Sequence, residues 1–97
     1  MLTLDRIREA VQTVASQYEI EQVYLFGSYA RGDATEDSDV DFRIVGGNIP
    51  TLFELGGLFE ELIESLDRPV DIVLTKNIRQ DFYNTIKEEE MLIYGKI

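Results

Sequence analysis

Apolar residues at the start of the chain follow first a helical and then a strand-like spacing. Between residues 4 and 18 they recur at steps of three and four, which predicts an amphipathic helix capped by Thr3. Its apolar stripe comprises Leu4, Ile7, Val11, Val14 and Tyr18. The short apolar run at 23–26 stops at Gly27 and predicts a buried strand.

Alternation of apolar and charged residues predicts the next strand. Apolar residues occupy every second position of the segment 39–44, and charged residues occupy the positions between them. One face of this strand is therefore predicted to pack inward, while the other carries Asp39, Asp41 and Arg43. A Gly-Gly pair then ends the strand.

The second half of the chain predicts a helix and a third strand. The capping-box sequence that runs from Pro50 to Glu54 opens the helix. The core stripe of this helix comprises Leu55, Leu58, Phe59, Leu62, Ile63 and Leu66. The run at 70–74 is apolar except for Asp71, and it predicts the third strand.

A last helix completes the predicted order of elements. It carries Ile78, Phe82 and Ile86 on one side, and the spacing leaves the state of the segment 91–94 open. The order is then helix, strand, strand, helix, strand, helix. Without a repeat or a linker, this order predicts a single domain over residues 1–97, built as a small α/β or α+β layer.

Three aspartates are predicted to meet on one side of the sheet. Residues two apart on a strand point to the same side about 7 Å apart, so Asp39 and Asp41 share a face. Asp71 also projects away from the apolar face of its strand, and the three carboxylates converge if the two strands are neighbours. Oxygen ligands in a chain without His or Cys favour Mg²⁺ or Mn²⁺. Taken alone, an Asp-x-Asp pair is most often a solvated strand face or a turn.

Gly27 and Ser28 supply a feature that complements the aspartates. A strand that ends in Gly-Ser before a short helix offers backbone N–H groups and a hydroxyl to a phosphate. Arg31 places a cation within reach, and Gly32 adds a second flexible point. A Gly-Ser pair by itself is commonly only a turn, and its combination with the aspartates is what indicates a phosphate site.

Charge and composition restrict the partners. The 97 residues include 19 acidic and 9 basic ones, and the net charge of −10 repels bare nucleic acid. A basic protein surface or metal cations are the expected partners, although such a charge also serves solubility alone. No apolar run approaches a membrane span, and the polar start of the chain is unlike a secretory signal. We therefore expect a cytoplasmic protein with no membrane partner.

Taken together, these motifs resemble those of the nucleotidyltransferase superfamily typified by DNA polymerase beta, and within it the minimal (MNT) domains. The signature of that family is Gly-Ser, ten residues, and Asp-x-Asp, and the chain shows this spacing. The fuller motif of small members is matched by Gly27, Ser28, Ala30, Arg31, Gly32, Ser38, Asp39 and Asp41. Asp71 falls where the family has its third carboxylate. The departures are mild: Phe42 stands where Leu or Ile is commoner, and Tyr29 occupies a variable position.

The resemblance implies a fold and a chemistry. The fold is a small mixed β-sheet flanked by helices, as in the polymerase beta palm. Asp39 and Asp41 would bridge two Mg²⁺ ions, with Asp71 completing the second site as a candidate proton acceptor. Mn²⁺ is the alternative metal.

The resemblance also implies a nucleotide-binding set. Gly27 and Ser28 would hold the β and γ phosphates of ATP, so that pyrophosphate leaves when an acceptor oxygen attacks the α phosphate. Ser38 belongs to the same motif, and Arg31 would offset charge on the triphosphate or contact the partner.

The identity of the group that accepts AMP is implied only by the resemblance. Stand-alone MNT proteins look like antitoxins that transfer AMP from ATP to a tyrosine of a HEPN-domain ribonuclease toxin, in a type VII-like toxin–antitoxin system. Two alternatives stay open: a non-catalytic antitoxin that neutralises its partner by binding, and a transferase acting on a small-molecule hydroxyl such as that of an aminoglycoside. Homo-oligomers and a hetero-oligomer with the toxin also remain open.

Overall fold

In a computed structural model that describes residues 2–49 and 51–96, four helices surround a four-stranded mixed sheet. The elements in chain order are α1 Leu4–Ala15, β1 Ile20–Phe26, α2 Ser28–Arg31, β2 Val40–Gly46, α3 Leu52–Leu66, β3 Val70–Leu74, α4 Gln80–Ile86 and β4 Met91–Tyr94. Short 3₁₀ turns follow α1 at Ser16–Tyr18 and β3 at Thr75–Asn77. This architecture confirms the predicted class, a small mixed sheet flanked by helices.

The strands lie in the order β3-β2-β1-β4. β1 is antiparallel to both of its neighbours, whereas β2 and β3 are parallel and are joined through α3. A parallel pair needs a crossover of this kind because the chain must return to the same end of the sheet. The adjacency of β2 and β3 meets the condition on which convergence of the aspartates depended.

The main core lies between one face of the sheet and the helices α1 and α3. The side chains of Val40 and Phe42 are fully buried there, and Ile44 continues the row, which confirms the predicted inward face of β2. Burial of each such side chain contributes about 1.5–3 kcal/mol relative to exposure. At the start of α1, the Thr3 hydroxyl accepts a hydrogen bond from the Arg6 N–H at 3.2 Å, so the predicted cap is present.

Two predicted helix boundaries differ from the structure, and a third is confirmed. α1 ends at Ala15, because a 3₁₀ turn and a left-handed Glu19 (φ 55°) reverse the chain into β1. α4 begins at Gln80, two residues after Ile78. Thr51 caps α3 by accepting from the Glu54 N–H at 3.3 Å, whereas Pro50 of the predicted capping box lies outside the described residues.

The structure also revises the prediction for one apolar residue and decides the state of one apolar segment. Ile63 is 41% exposed rather than part of the core, because the buried row of α3 repeats every four residues at Leu58, Leu62 and Leu66 and turns Ile63 away from it. The segment 91–94, whose state the sequence left open, forms β4 and pairs with β1 at an edge of the sheet. No helix in residues 2–49 or 51–96 is long and apolar enough to cross a bilayer.

Candidate active site

The aspartates lie at the end of the sheet where β2 and β3 begin. Asp41 and Asp71 are direct partners in the parallel register of these strands, and Asp39 immediately precedes β2. Asp41 is partly buried, whereas Asp39 and Asp71 are exposed. The predicted Asp71 carboxylate thus reaches the same end of the sheet as the Asp-x-Asp pair, at a partly open edge rather than inside a buried run.

Burial of Asp41 and repulsion between the carboxylates govern the electrostatics of this group. Burial, followed by the charges of Asp71 and Asp39, raises the pKa of Asp41 from 3.8 to about 6. The Arg31 guanidinium opposes this shift of the pKa. A cation placed among the carboxylates would remove the repulsion, and an all-oxygen donor set suits a hard divalent ion.

The ligand-free carboxylates do not form a complete metal-ligand set. Across the part of the chain that the structure describes, no group of three or more His, Cys, Asp or Glu side chains is arranged to hold a metal ion. The donor chemistry therefore fits Mg²⁺ or Mn²⁺ while the ligand geometry is not preformed. The assignment of Asp39, Asp41 and Asp71 as metal ligands stays a prediction.

Gly27 lies directly against the Asp41 carboxylate. It follows β1, whose last residue, Phe26, is the register partner of Asp41. Its backbone has φ 78° and ψ −156°, a conformation that favours glycine, and a Cβ atom at this position would collide with Asp41 Oδ2. The glycine of the Gly-Ser signature thus has a steric reason in this fold: only glycine lets the backbone pass so close to the Asp41 carboxylate.

The helix after Gly27 begins at Ser28 and brings Arg31 close enough to act on the Asp41 charge. α2 spans only Ser28–Arg31 and ends at Gly32, which adopts a left-handed conformation with φ 85°. The Arg31 guanidinium donates to Asp33 Oδ2 at 3.2 Å and to Glu89 Oε2 at 3.1 Å. Tyr29, the variable position of the motif, is buried in the core.

Ser38 makes its contacts inside the loop that leads to β2. Its hydroxyl accepts from the Thr35 N–H at 2.8 Å, and its own N–H donates to the Thr35 carbonyl at 3.1 Å. These bonds close a tight turn just before Asp39. A direct contact of Ser38 with nucleotide remains a prediction, and the observed contacts give Ser38 a role in shaping the loop.

Two glutamates that the sequence analysis did not single out complete the surroundings of the site. Glu89 Oε2 accepts from the Gly27 N–H at 2.6 Å as well as from Arg31. Glu90 forms a buried, two-pronged pair with Arg43, with distances of 2.8 and 2.7 Å. The only signal in the sequence was the run of three glutamates at 88–90, whose spacing does not reveal which of them turn inward.

Arg43 itself is a correction to the predicted charged face of β2. It is only 5% exposed, because α4 and the following loop cover this face of the sheet. The guanidinium stacks over the Tyr24 ring at 4.3 Å and the Tyr83 ring at 5.0 Å and donates to Thr75 Oγ1 at 2.9 Å. The charged face of β2 is therefore open to solvent near the aspartates and buried at Arg43.

Comparison with known proteins adds independent observations. The family model described as polymerase beta, nucleotidyltransferase, matches residues 9–96. Protein adenylyltransferase MntA of Thermococcus cleftensis is 31% identical over 97 residues, which cover 96% of this chain and 98% of that protein.

Solved structures share the fold. A crystal structure of a toxin–antitoxin with AMP-PNP has a TM-score of 0.80 at 20% identity, covering 92% of this chain and 73% of that one. The tri-AMPylated HEPN toxin of Shewanella oneidensis in complex with MNT antitoxin gives a TM-score of 0.75 at 17% identity, covering 97% and 74%.

Proposed function

This chain belongs to the polymerase beta nucleotidyltransferase family, and we propose that it transfers AMP from ATP to a tyrosine hydroxyl of a HEPN-domain toxin, as the antitoxin of a type VII-like pair. The observation that carries the proposal is the Asp41 carboxylate, held against Gly27 and opposite Asp71. The name of the Thermococcus relative and the toxin–antitoxin complexes among the similar structures support it.

Each motif residue has a role in this reaction. The Gly27 N–H and the Ser28 hydroxyl hold the terminal phosphates of ATP, and Arg31 offsets their charge. Ser38 keeps the loop before Asp39 in the conformation that brings the carboxylates to the nucleotide.

Asp39, Asp41 and Asp71 would hold two Mg²⁺ ions, which supply charge neutralisation on the triphosphate and activation of the attacking hydroxyl. The tyrosine oxygen forms a bond to the α phosphorus as the bond from that phosphorus to the bridging oxygen breaks, and pyrophosphate leaves with the electron pair. The hydroxyl proton passes to Asp71. The remaining contribution of the protein is to align the acceptor and the triphosphate, as in other phosphoryl transfers.

The net charge of −10 supports a protein acceptor rather than a nucleic acid. An acidic surface attracts a basic partner over a long range and speeds their encounter. We accordingly place the activity in the cytoplasm, in a complex with the toxin.

Intact-mass spectrometry of the toxin tests this function. The product of a neighbouring HEPN-domain gene is incubated with this protein, ATP and Mg²⁺, and the expected result is a gain of one or more AMP masses. The gain should vanish when ATP or Mg²⁺ is omitted, and with the double variant Asp39→Asn/Asp41→Asn.

The double variant Glu36→Gln/Asp37→Asn is the matched control. It removes two charges from the same loop at exposed positions outside the proposed ligand set, and we expect full transfer. If the toxin gains no mass yet is still inhibited in a stable complex, the protein is a binding antitoxin. If the Asp39/Asp41 variant transfers AMP at the normal rate, the carboxylates are misassigned.

A further inference from the structure

Glu89 occupies two of the three donors that the proposed function assigns to the triphosphate. It lies in the loop between α4 and β4, and one of its oxygens accepts from both the Gly27 N–H and the Arg31 guanidinium. The side chain is only 21% exposed. Its position is maintained by the turn at the end of α4, where the N–H groups of Glu89 and Glu90 both donate to the Ile86 carbonyl at 3.0 Å.

A carboxylate and a phosphate have the same requirements as acceptors. Both are anions that take short, charge-assisted hydrogen bonds from backbone N–H groups and guanidinium. A single N–H cannot donate at full strength to two anions in one place, and two negative charges there repel each other. The phosphate group and the Glu89 carboxylate are therefore alternatives at this position.

The surrounding contacts allow Glu89 to leave without disturbing the loop. The neighbouring Glu90 is fixed through both of its oxygens by buried Arg43, so the loop stays attached to the sheet. Arg31 keeps its bond to Asp33 at 3.2 Å when the Glu89 carboxylate is absent. Only the Glu89 side chain needs to rotate to open the position.

We propose that Glu89 sets the affinity for nucleotide, by competing with the triphosphate for the Gly27 N–H and Arg31. This inference rests on the proposed function, because it assumes that a nucleoside triphosphate binds at these donors. In this inference the Glu89 carboxylate closes the site, because the protein supplies its own anion until nucleotide displaces it.

The test compares Glu89→Gln and Glu89→Ala with Glu88→Gln. Glu88→Gln removes the same charge from the same loop at an exposed position, so it reports the general effect of a less acidic protein. The Kd of AMP-PNP with Mg²⁺ is measured by titration calorimetry. We expect both Glu89 variants to bind about tenfold tighter than wild type, which corresponds to loss of one charge-assisted competitor, and Glu88→Gln to stay within about twofold.

The direction in which the Kd of AMP-PNP changes distinguishes competition by Glu89 from a structural role of Glu89. If Glu89 served only to hold Gly27 and Arg31 in place, both of its variants would bind the analogue more weakly. Equal or weaker binding by folded Glu89→Gln, with wild type still binding, overturns this inference alone. If neither wild type nor any variant binds AMP-PNP, the proposed function fails with it.

Discussion

At the scale of single residues, the site depends on the close approach of Gly27 to Asp41. The sequence motif records the glycine and the aspartate fourteen positions apart, and the pairing of β1 with β2 brings them together. The positive φ of Gly27 and the lack of space for a Cβ atom are two separate reasons for glycine here. Either one alone makes substitution costly.

Gly27→Ala is expected to slow AMP transfer about 100-fold while leaving a folded protein. The new methyl group displaces the Asp41 carboxylate, and misplacement of a reacting group by about 1 Å can cost about 100-fold in rate. The backbone of Gly27, with φ 78° and ψ −156°, adds a stability cost of about 1–3 kcal/mol for any other residue. The rate of mass gain on the toxin and a thermal melt measure the two effects.

Gly56→Ala is the control for this substitution. Gly56 is an exposed helical residue of α3 with open space around its Cβ position, so we expect normal transfer and a gain of about 0.5–1 kcal/mol in stability. Transfer by Gly27→Ala within threefold of wild type would contradict the steric role of Gly27.

Asp41 carries a stability cost at neutral pH. Its pKa is raised to about 6 by burial, Asp71 and Asp39, so the folded state favours the protonated form. This contribution to stability is complete below pH 3.8, the ordinary pKa, and is lost as the pH rises to about 6. Above that pH the ionised group weakens the fold.

Asp41→Asn should therefore raise the unfolding temperature of the metal-free protein at pH 7.5. Because the side chain is only partly buried, solvent screening limits the gain to about 1 kcal/mol, or about 4–8 °C for a domain of this size. The gain should shrink to nothing below pH 4. Thermal melts with EDTA across this range test it, with exposed Asp37→Asn as the reference; a constant difference at every pH would refute the titration of Asp41.

At the scale of elements, a buried ion pair ties the loop between α4 and β4 to strand β2 of the sheet. Arg43 on β2 binds Glu90, the residue immediately before β4, and it stacks on Tyr83 of α4. Phe82 of α4 adds an edge-to-face contact with Phe26, with 5.8 Å between the ring centres. These contacts explain why a short helix of seven residues is held across the outer face of the sheet.

Removal of one partner of this pair should be far more damaging than removal of both. Arg43→Met leaves the Glu90 charge buried without a counter-ion, which costs about 3–5 kcal/mol. The double variant Arg43→Met/Glu90→Leu should recover part of that loss, because apolar groups replace both charges. Urea unfolding of the two variants measures the difference.

Arg79→Met provides the surface reference. Its pair with Asp81 is 82% and 70% exposed, so we expect a loss below about 1 kcal/mol. A double variant at Arg43 and Glu90 that is less stable than Arg43→Met would show that the pair is not the main link between these elements.

Prediction from sequence was least complete for this same part of the chain. The segment 91–94 is short and uniformly apolar, so its local spacing suits more than one structure. The open edge of β1 decides its state by offering hydrogen-bonding partners. For Ile63 the local spacing gave a definite prediction, a core position, that the structure contradicts. The buried side chains of α3 recur every fourth residue, and this row leaves Ile63 facing outward.

At the scale of the whole molecule, the net charge of −10 opposes the binding of a triphosphate. An anionic nucleotide approaching an acidic protein meets repulsion that falls off within a Debye length, about 10 Å at 0.1 M salt. A divalent cation bound with the nucleotide reverses the local sign of the interaction.

Removal of Mg²⁺ should therefore weaken ATP binding at least tenfold, a change of about 1.4 kcal/mol. In EDTA, the affinity should improve as NaCl is raised from about 0.05 to 0.5 M, because salt screens repulsion rather than attraction. Calorimetric titrations with ATP in Mg²⁺ and in EDTA test the effect of the metal. The same titrations in EDTA at low and high NaCl test the effect of salt. Metal-free binding that is as tight as with Mg²⁺, or that weakens with salt, would show that basic groups dominate the site.

The sequence by itself determined the class of fold, the inward faces of the strands and the identity of the motif residues. These follow from periodicity and from residue chemistry, which are local properties of the chain. Only the tertiary structure decided which groups meet: Asp71 beside Asp41, the Gly27 backbone against a carboxylate, and Glu89 on Gly27 and Arg31. Contacts between residues far apart in the chain depend on strand order and helix packing, and no local pattern in one sequence contains that information.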